Sequence, residues 1–172
     1  WDTFSDHFIA DHTVITIDLP GFGKSELPSE KFSIKNIADI LLNWMEEQAI
    51  ENPVIVGHSL GGYVALAMIQ KSPDKFSGLC LFHSVAGADS EEKKEARTKT
   101  AEFVMRNGAY AFTSNFIPPL FADQSRVTDI LRVKDIATQT SAETVIGYLL
   151  AMRDREDRTH VISSFTKPIL ML

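Results

Sequence analysis

The segment Gly57-His58-Ser59-Leu60-Gly61 constrains this chain more than any other, because of what surrounds it. A short apolar run, Pro53-Val54-Ile55-Val56, leads into it, and an apolar helical run, Gly62-Tyr63-Val64-Ala65-Leu66-Ala67-Met68-Ile69, leads out. In that setting G-x-S-x-G marks a sharp strand-to-helix turn, which exposes the serine hydroxyl at the sheet edge and aims the next backbone N–H at an incoming carbonyl. Ser59 is therefore a candidate nucleophile and Leu60 a candidate backbone donor to an oxyanion. A side chain at Gly57 or Gly61 is expected to crowd the turn, and Gly62 to let the helix start close against a neighbouring strand. The alternative, a purely structural turn serine, is outweighed by the strand-turn-helix setting.

The rest of the chain alternates in the same manner. Residues 12–18 read as a buried strand rich in β-branched residues, ended by the turn Leu19-Pro20-Gly21-Phe22-Gly23. Ser33 is placed to cap a helix whose apolar positions Ile34, Ile37, Ala38, Leu41, Leu42 and Met45 keep the 3.6-residue period. Asn52-Pro53 ends it and opens the strand before the serine, and Ser72-Pro73-Asp74 ends the helix after it. Leu79-Cys80-Leu81-Phe82 reads as a third strand and Lys167-Pro168-Ile169-Leu170-Met171-Leu172 as a fourth. Such alternation implies parallel βαβ units with helices on both sheet faces.

Between the last two strands the pattern changes to helical periods with almost no strand signal. Asp89-Ser90-Glu91-Glu92 opens a helix with acid at its N-terminus, Gly108 is expected to close it, and Asp89 itself reads as its N-cap. Pro118-Pro119 breaks the next helix, and Thr140-Ser141-Ala142-Glu143 starts another. The expected organisation is a core over residues 1–87, a helical cap over 88–165, and a returning core strand over 166–172.

Composition narrows the function classes. A net charge of −6 leaves no face rich enough in Lys and Arg to neutralise nucleic-acid phosphates. No apolar run approaches the ~20 residues of a membrane span. The single cysteine, Cys80, has no partner for an internal disulfide, which suits a reducing, cytoplasmic setting. Gly23-Lys24-Ser25 ends like a phosphate-binding loop, but Asp18 stands where that loop needs its first glycine, and Glu26 stands at the third glycine of G-x-G-x-x-G. Nucleotide binding is not expected. The histidines and acids lack metal-ligand spacing, and no cofactor is implied.

Together, Thr16-Ile17-Asp18-Leu19-Pro20-Gly21-Phe22-Gly23-Lys24-Ser25 and Val54-Ile55-Val56-Gly57-His58-Ser59-Leu60-Gly61-Gly62 closely resemble the α/β-hydrolase family. The resemblance implies a three-layer α/β/α parallel sheet with a helical cap inserted between sheet strands, here as a partial fold. It makes the four strands the fourth to seventh of eight. It also implies acyl transfer: Ser59 attacks an ester-like carbonyl, a histidine takes its proton, and an acid orients that histidine. In this family the acid and histidine follow the seventh and eighth strands, and a second oxyanion donor precedes the fourth. The chain is accordingly expected to be an internal stretch of a longer hydrolase, inactive by itself.

Other polar residues carry plainer readings. His58 precedes the serine on its strand, so its side chain is expected to point away from the hydroxyl and to pack or hydrogen-bond. His83 ends the third strand, where it could line a pocket, although a buried, satisfied imidazole is the simpler expectation. His160 is expected to face solvent, and Asp18 to bond nearby turn amides. Some relatives of this fold place their acid where Asp89 stands. Phe103, Tyr110, Phe112, Phe116, Leu120 and Phe121 are candidates for an apolar lining that selects substrate. The leading function is a carboxylesterase-like hydrolase of a small ester, lactone or similar carbonyl compound. The alternatives are a C–C hydrolase or perhydrolase on the same elbow, or a non-catalytic binding protein on the same scaffold; oligomeric state is left open.

Overall fold

The computed structural model describes residues 1–28 and 32–172. A helical turn, α1 (Asp2–Ser5), opens the chain, and residues 13–19 then run without regular structure into the turn at Pro20. The strand expected over residues 12–18 is thus not formed. Val14, Ile15 and Ile17 are 37, 51 and 42% exposed, and among the described residues no strand pairs with the run to hold a β-branched segment in a ladder.

The capped helix is α2 (Ile34–Glu47), with the Ser33 hydroxyl accepting the Asn36 N–H at 3.0 Å. Its buried side is the predicted one, Ile34, Ile37, Ala38, Leu41, Leu42 and Met45. β1 (Val54–His58) follows, then α3 (Leu60–Lys71), a 3₁₀ turn (Pro73–Lys75) and β2 (Gly78–Phe82). β1 pairs with β2 in parallel from Val54↔Gly78 to His58↔Phe82.

A helical stretch comes next: α4 (Glu91–Phe116), a 3₁₀ turn (Pro118–Leu120), α5 (Val127–Thr138), α6 (Ala142–Arg153) and α7 (Thr159–Ser164). Ser90, not Asp89, caps α4, accepting the Lys93 N–H at 3.3 Å. Gly108 breaks this helix at φ 81° and ψ 165°, but the chain resumes helical geometry beyond it, so the glycine makes a kink where an end was expected. β3 (Ile169–Met171) returns to pair in parallel with β2, Leu79↔Ile169 to Leu81↔Met171. The order among the described residues is β1-β2-β3.

α3 lies along β1 and β2, and α2 packs beside it. Leu79 and Leu81 on β2, each under 3% exposed, meet Val64, Leu66, Met68 and Ile69 in one core that also takes Tyr148, Val161 and Phe165. Each such aliphatic side chain contributes roughly 1.5–3 kcal/mol on burial. The opposite sheet face carries Val54, Val56 and Leu170, all more than half exposed. A smaller core of Ala101, Val104 and Leu149 joins α4 to α6. α6 is tied to the turn at residue 20: the Tyr148 hydroxyl donates to the Pro20 carbonyl at 2.9 Å, and the Thr144 hydroxyl to that of Gly21 at 3.1 Å. No helix among the described residues is long and apolar enough to cross a membrane.

Candidate active site

At the junction of β1 and α3, Ser59 adopts φ 48° and ψ −113°. A non-glycine residue there stores on the order of 1–3 kcal/mol and persists only where its surroundings over-determine it. Those surroundings are explicit. The Ser59 N–H donates to the Phe82 carbonyl at 3.0 Å, extending the β1–β2 ladder by one bond. The Ser59 carbonyl accepts the Gly62 N–H at 2.9 Å and the Ser84 hydroxyl at 2.8 Å.

Two glycines make room for this turn. A Cβ on Gly57 would stand 2.6 Å from backbone atoms of Gly61 and Gly62, and one on Gly62 would stand 2.2 Å from the Ser84 hydroxyl. Gly61 is different, with nothing within 4 Å of a built Cβ, so the crowding expected there does not exist. Gly62 does bring the helix start against the chain leaving β2, as the sequence suggested.

Ser59 is exposed, and among the described residues nothing hydrogen-bonds its hydroxyl. Leu60 begins α3, where the first-turn N–H groups have no intrahelical acceptor and the helix dipole is positive. The arrangement presents a hydroxyl and adjacent backbone donors on one open rim.

The two histidines of the rim stand together, with His58 and His83 ring centres 6.2 Å apart and nearly perpendicular. The His58 ring also meets Trp1 at 6.2 Å and Phe82 at 5.5 Å, a packing role as expected. Burial, and then the nearby His83, lower its pKa below the usual histidine value. His83 is exposed with φ +46°, which corrects the expectation of a buried imidazole; it follows the last residue of β2 and leaves the sheet there. His160 is exposed, its Nε2 3.4 Å from the Gln70 amide nitrogen.

Asp18 accepts the Lys24 backbone N–H at 3.2 Å, the turn-bonding role read from the sequence. Asp89 has another task than capping. Its side chain is buried between Arg97, with which it is hydrogen-bonded, and Arg155 at 2.8 Å. Burial alone would raise its pKa; the two guanidiniums outweigh that and hold the carboxyl below the usual range. Arg155 in turn lies 4.1 Å above the Tyr63 ring and donates to the Gly87 carbonyl at 2.9 Å. This cluster fastens the helical stretch to α3, one turn past Ser59. Among the described residues no group of three or more His, Cys, Asp or Glu could hold a metal ion.

Two concavities, of about 550 and 440 Å³, lie among the described residues. The first is lined by Phe32, Met105, Ile146 and Leu150 among others, the second by Asp18, Leu27, Ile40 and Trp44. Neither includes Ser59 or the six apolar residues expected to line a site, of which Tyr110, Phe116 and Leu120 are about half to two-thirds exposed. Ser84 belongs to no local sequence motif. Its signal was positional: it lies two residues past the end of β2, the strand that pairs with the one carrying the elbow.

Comparison with known proteins matches this geometry. A thermophilic esterase from Thermogutta terrifontis superposes with a TM-score of 0.88 at 29% identity, covering 99% of this chain and 64% of that one. MenH from S. aureus superposes at 0.87 and 21% identity, over 99% of this chain and 68% of its own, and shows the fold alone. By sequence, a putative 2-succinyl-6-hydroxy-2,4-cyclohexadiene-1-carboxylate synthase of Bacillus subtilis is 26% identical over 139 residues, 77% of this chain. The chain spans about half the length of that relative, 51%. The profile of the alpha/beta hydrolase fold matches residues 2–128, so the chain, with its parallel sheet and its sharp β1–α3 turn, belongs to the alpha/beta hydrolase fold family.

Proposed function

We propose that the protein carrying this chain is a serine hydrolase that cleaves a small ester, lactone or similar carbonyl substrate through an acyl-enzyme on Ser59. The observation that carries this reading is the strained, exposed Ser59 at the mouth of α3. Strain of that kind gathers at functional sites, and a plain turn would relieve it. The similarity to an esterase at 29% identity supports the ester class.

In this mechanism the Ser59 hydroxyl attacks the carbonyl carbon while a histidine removes its proton. The Leu60 N–H receives the developing oxyanion, a donor typically worth ~3 kcal/mol of barrier. The protonated histidine then gives its proton to the leaving alcohol, and water activated by the same histidine releases the acid. The histidine, its acid partner and a second oxyanion donor come from residues outside 1–172. No described residue hydrogen-bonds the Ser59 hydroxyl, and Asp89 is neutralised by two arginines, which supports that division. His83 lines the mouth of the site, the stretch from residue 88 to 165 forms its cap, and neither a cofactor nor a metal takes part.

The test is covalent labelling of the full-length protein with a fluorophosphonate, followed by peptide mapping, alongside hydrolysis of short-chain nitrophenyl esters. Label on Ser59, and loss of at least ~10⁴-fold in kcat in Ser59→Ala, is the expected result. A folded protein that takes no label at Ser59 defeats the reading. Residues 1–172 expressed alone are expected to show no turnover.

A further inference from the structure

We propose that Ser84 is a positioning residue for the oxyanion donor: its hydroxyl holds the Ser59 carbonyl and thereby sets the direction of the Leu60 N–H. The proposal rests on the serine-hydrolase reading above and deepens it.

The argument begins with the peptide between Ser59 and Leu60. It is planar and trans, so its C=O and N–H point in opposite directions and turn together. Whatever fixes the Ser59 carbonyl therefore fixes the Leu60 N–H. Two donors reach that carbonyl, the Gly62 N–H at 2.9 Å and the Ser84 hydroxyl at 2.8 Å, and a carbonyl oxygen has two lone pairs to receive them.

The two bonds are not equivalent. Gly62 lies only three residues ahead in the same helix start, so its N–H can follow the carbonyl if the turn relaxes. Ser84 is anchored from another element, just past β2, where the preceding His83 N–H donates to the Leu172 carbonyl at 2.8 Å. The Ser59 N–H, on the preceding peptide, is held by the Phe82 carbonyl, but of the two bonds to the Ser59 carbonyl only the one from Ser84 comes from outside the turn. Space for it exists because Gly62 has no side chain: a Cβ there would fall 2.2 Å from the Ser84 hydroxyl and 2.5 Å from its Cβ. The glycine after the motif thus has a second use, to admit the hydroxyl that steadies the elbow.

Without the hydroxyl, the Ser59 carbonyl keeps only the Gly62 N–H, from within the same turn, and the Leu60 N–H can tilt off the oxyanion. A misdirected hydrogen bond weakens steeply as its angle falls toward about 120°. Complete removal of an oxyanion donor lowers kcat by ~10²–10³-fold, so misdirection of one donor is expected to lower it by roughly 10-fold.

The experiment compares full-length wild type, Ser84→Ala and Ser84→Thr. In Ser84→Ala, kcat for a nitrophenyl ester and the fluorophosphonate labelling rate should each fall about 10-fold with KM within roughly twofold, while Ser84→Thr, which keeps the hydroxyl, recovers most of both. The ¹³C resonance of the Ser59 carbonyl should move in Ser84→Ala, reporting the lost hydrogen bond, and return in Ser84→Thr. Unchanged kcat and an unmoved resonance in Ser84→Ala overturn the proposal. So does a loss of kcat matched by a rise in KM and a falling melting temperature that Ser84→Thr does not restore, since that marks general loosening. If wild type neither hydrolyses esters nor takes label, the serine-hydrolase reading fails, while the carbonyl resonance still decides whether Ser84 orients the peptide.

Discussion

Residues 12–18 and β1 carry nearly the same local signal, yet only β1 is a strand. Val14, Ile15 and Ile17 are as β-prone as Val54, Ile55 and Val56. β1 has β2 beside it, residue for residue, and α3 along it. Residues 13–19 have no ladder partner among the described residues, and Val14, Ile15 and Ile17 stay exposed. Strand formation is a property of two segments. A β-branched run supplies a surface that fits a sheet, and a neighbour has to supply the hydrogen bonds and the covered face. The elbow exists because its strand found such a neighbour, and Ser59 itself continues the pairing through its bond to Phe82.

That contrast can be pressed at several points in the full-length protein, and urea unfolding gives the measure. Leu81→Ala, at a position 1% exposed in the paired strand, should cost about 3–4 kcal/mol through the cavity it leaves. Gly57→Ala should cost roughly 3 kcal/mol, because a methyl group would be forced into backbone 2.6 Å away. Gly61→Ala, with open space around it inside a helix start, should be near neutral; equal losses at both glycines would mean the elbow is not built as described.

Asp89→Asn removes a buried charge between two arginines and should cost about 2–3 kcal/mol. Because the folded state holds the Asp89 carboxyl below its ordinary value of 3.8, its contribution is fully present above that value. It fades as pH falls through the folded pKa, so the acid limb of a stability–pH curve should be shallower in Asp89→Asn than in wild type. A curve of unchanged slope would show that the arginines do not hold this carboxyl.

The smallest effect belongs to the unpaired run. With Ile15 half exposed, Ile15→Thr should change stability by no more than about 0.5 kcal/mol. A cost above ~2 kcal/mol would show that residues outside 1–172 bring this run the neighbour it lacks here.

Much of the fold was legible in the sequence, and the reasons are local. The period of Ile34, Ile37, Ala38, Leu41, Leu42 and Met45 named the buried side of α2 in full, since an amphipathic helix needs only one apolar partner surface. Ser33 and Ser141 announced their helices because an N-cap is satisfied within four residues. The elbow could be read from G-x-S-x-G between an apolar run and a helix, for the strain and the room it needs are written in adjacent positions. Asp18 was legible for the same reason: its acceptor meets an amide six residues on.

What failed to show depended on partners distant in the chain. Asp89 reads as a cap in the sequence because its arginines lie 8 and 66 residues away, and nothing in a local pattern joins them. Ser84 went unnoticed because its acceptor is 25 residues back, across a strand pairing. Gly61 looked as constrained as Gly57 because the motif treats them alike, whereas the packing does not. The amino-acid order by itself determined the cap and buried side of α2, the start of α6, the Asp18 turn and the place of the reactive-looking serine, all set by interactions within a few residues. Tertiary structure alone decided which β-prone run became a strand, which acid was neutralised, and which hydroxyl reached the elbow carbonyl, because each depends on a second segment arriving at hydrogen-bonding distance.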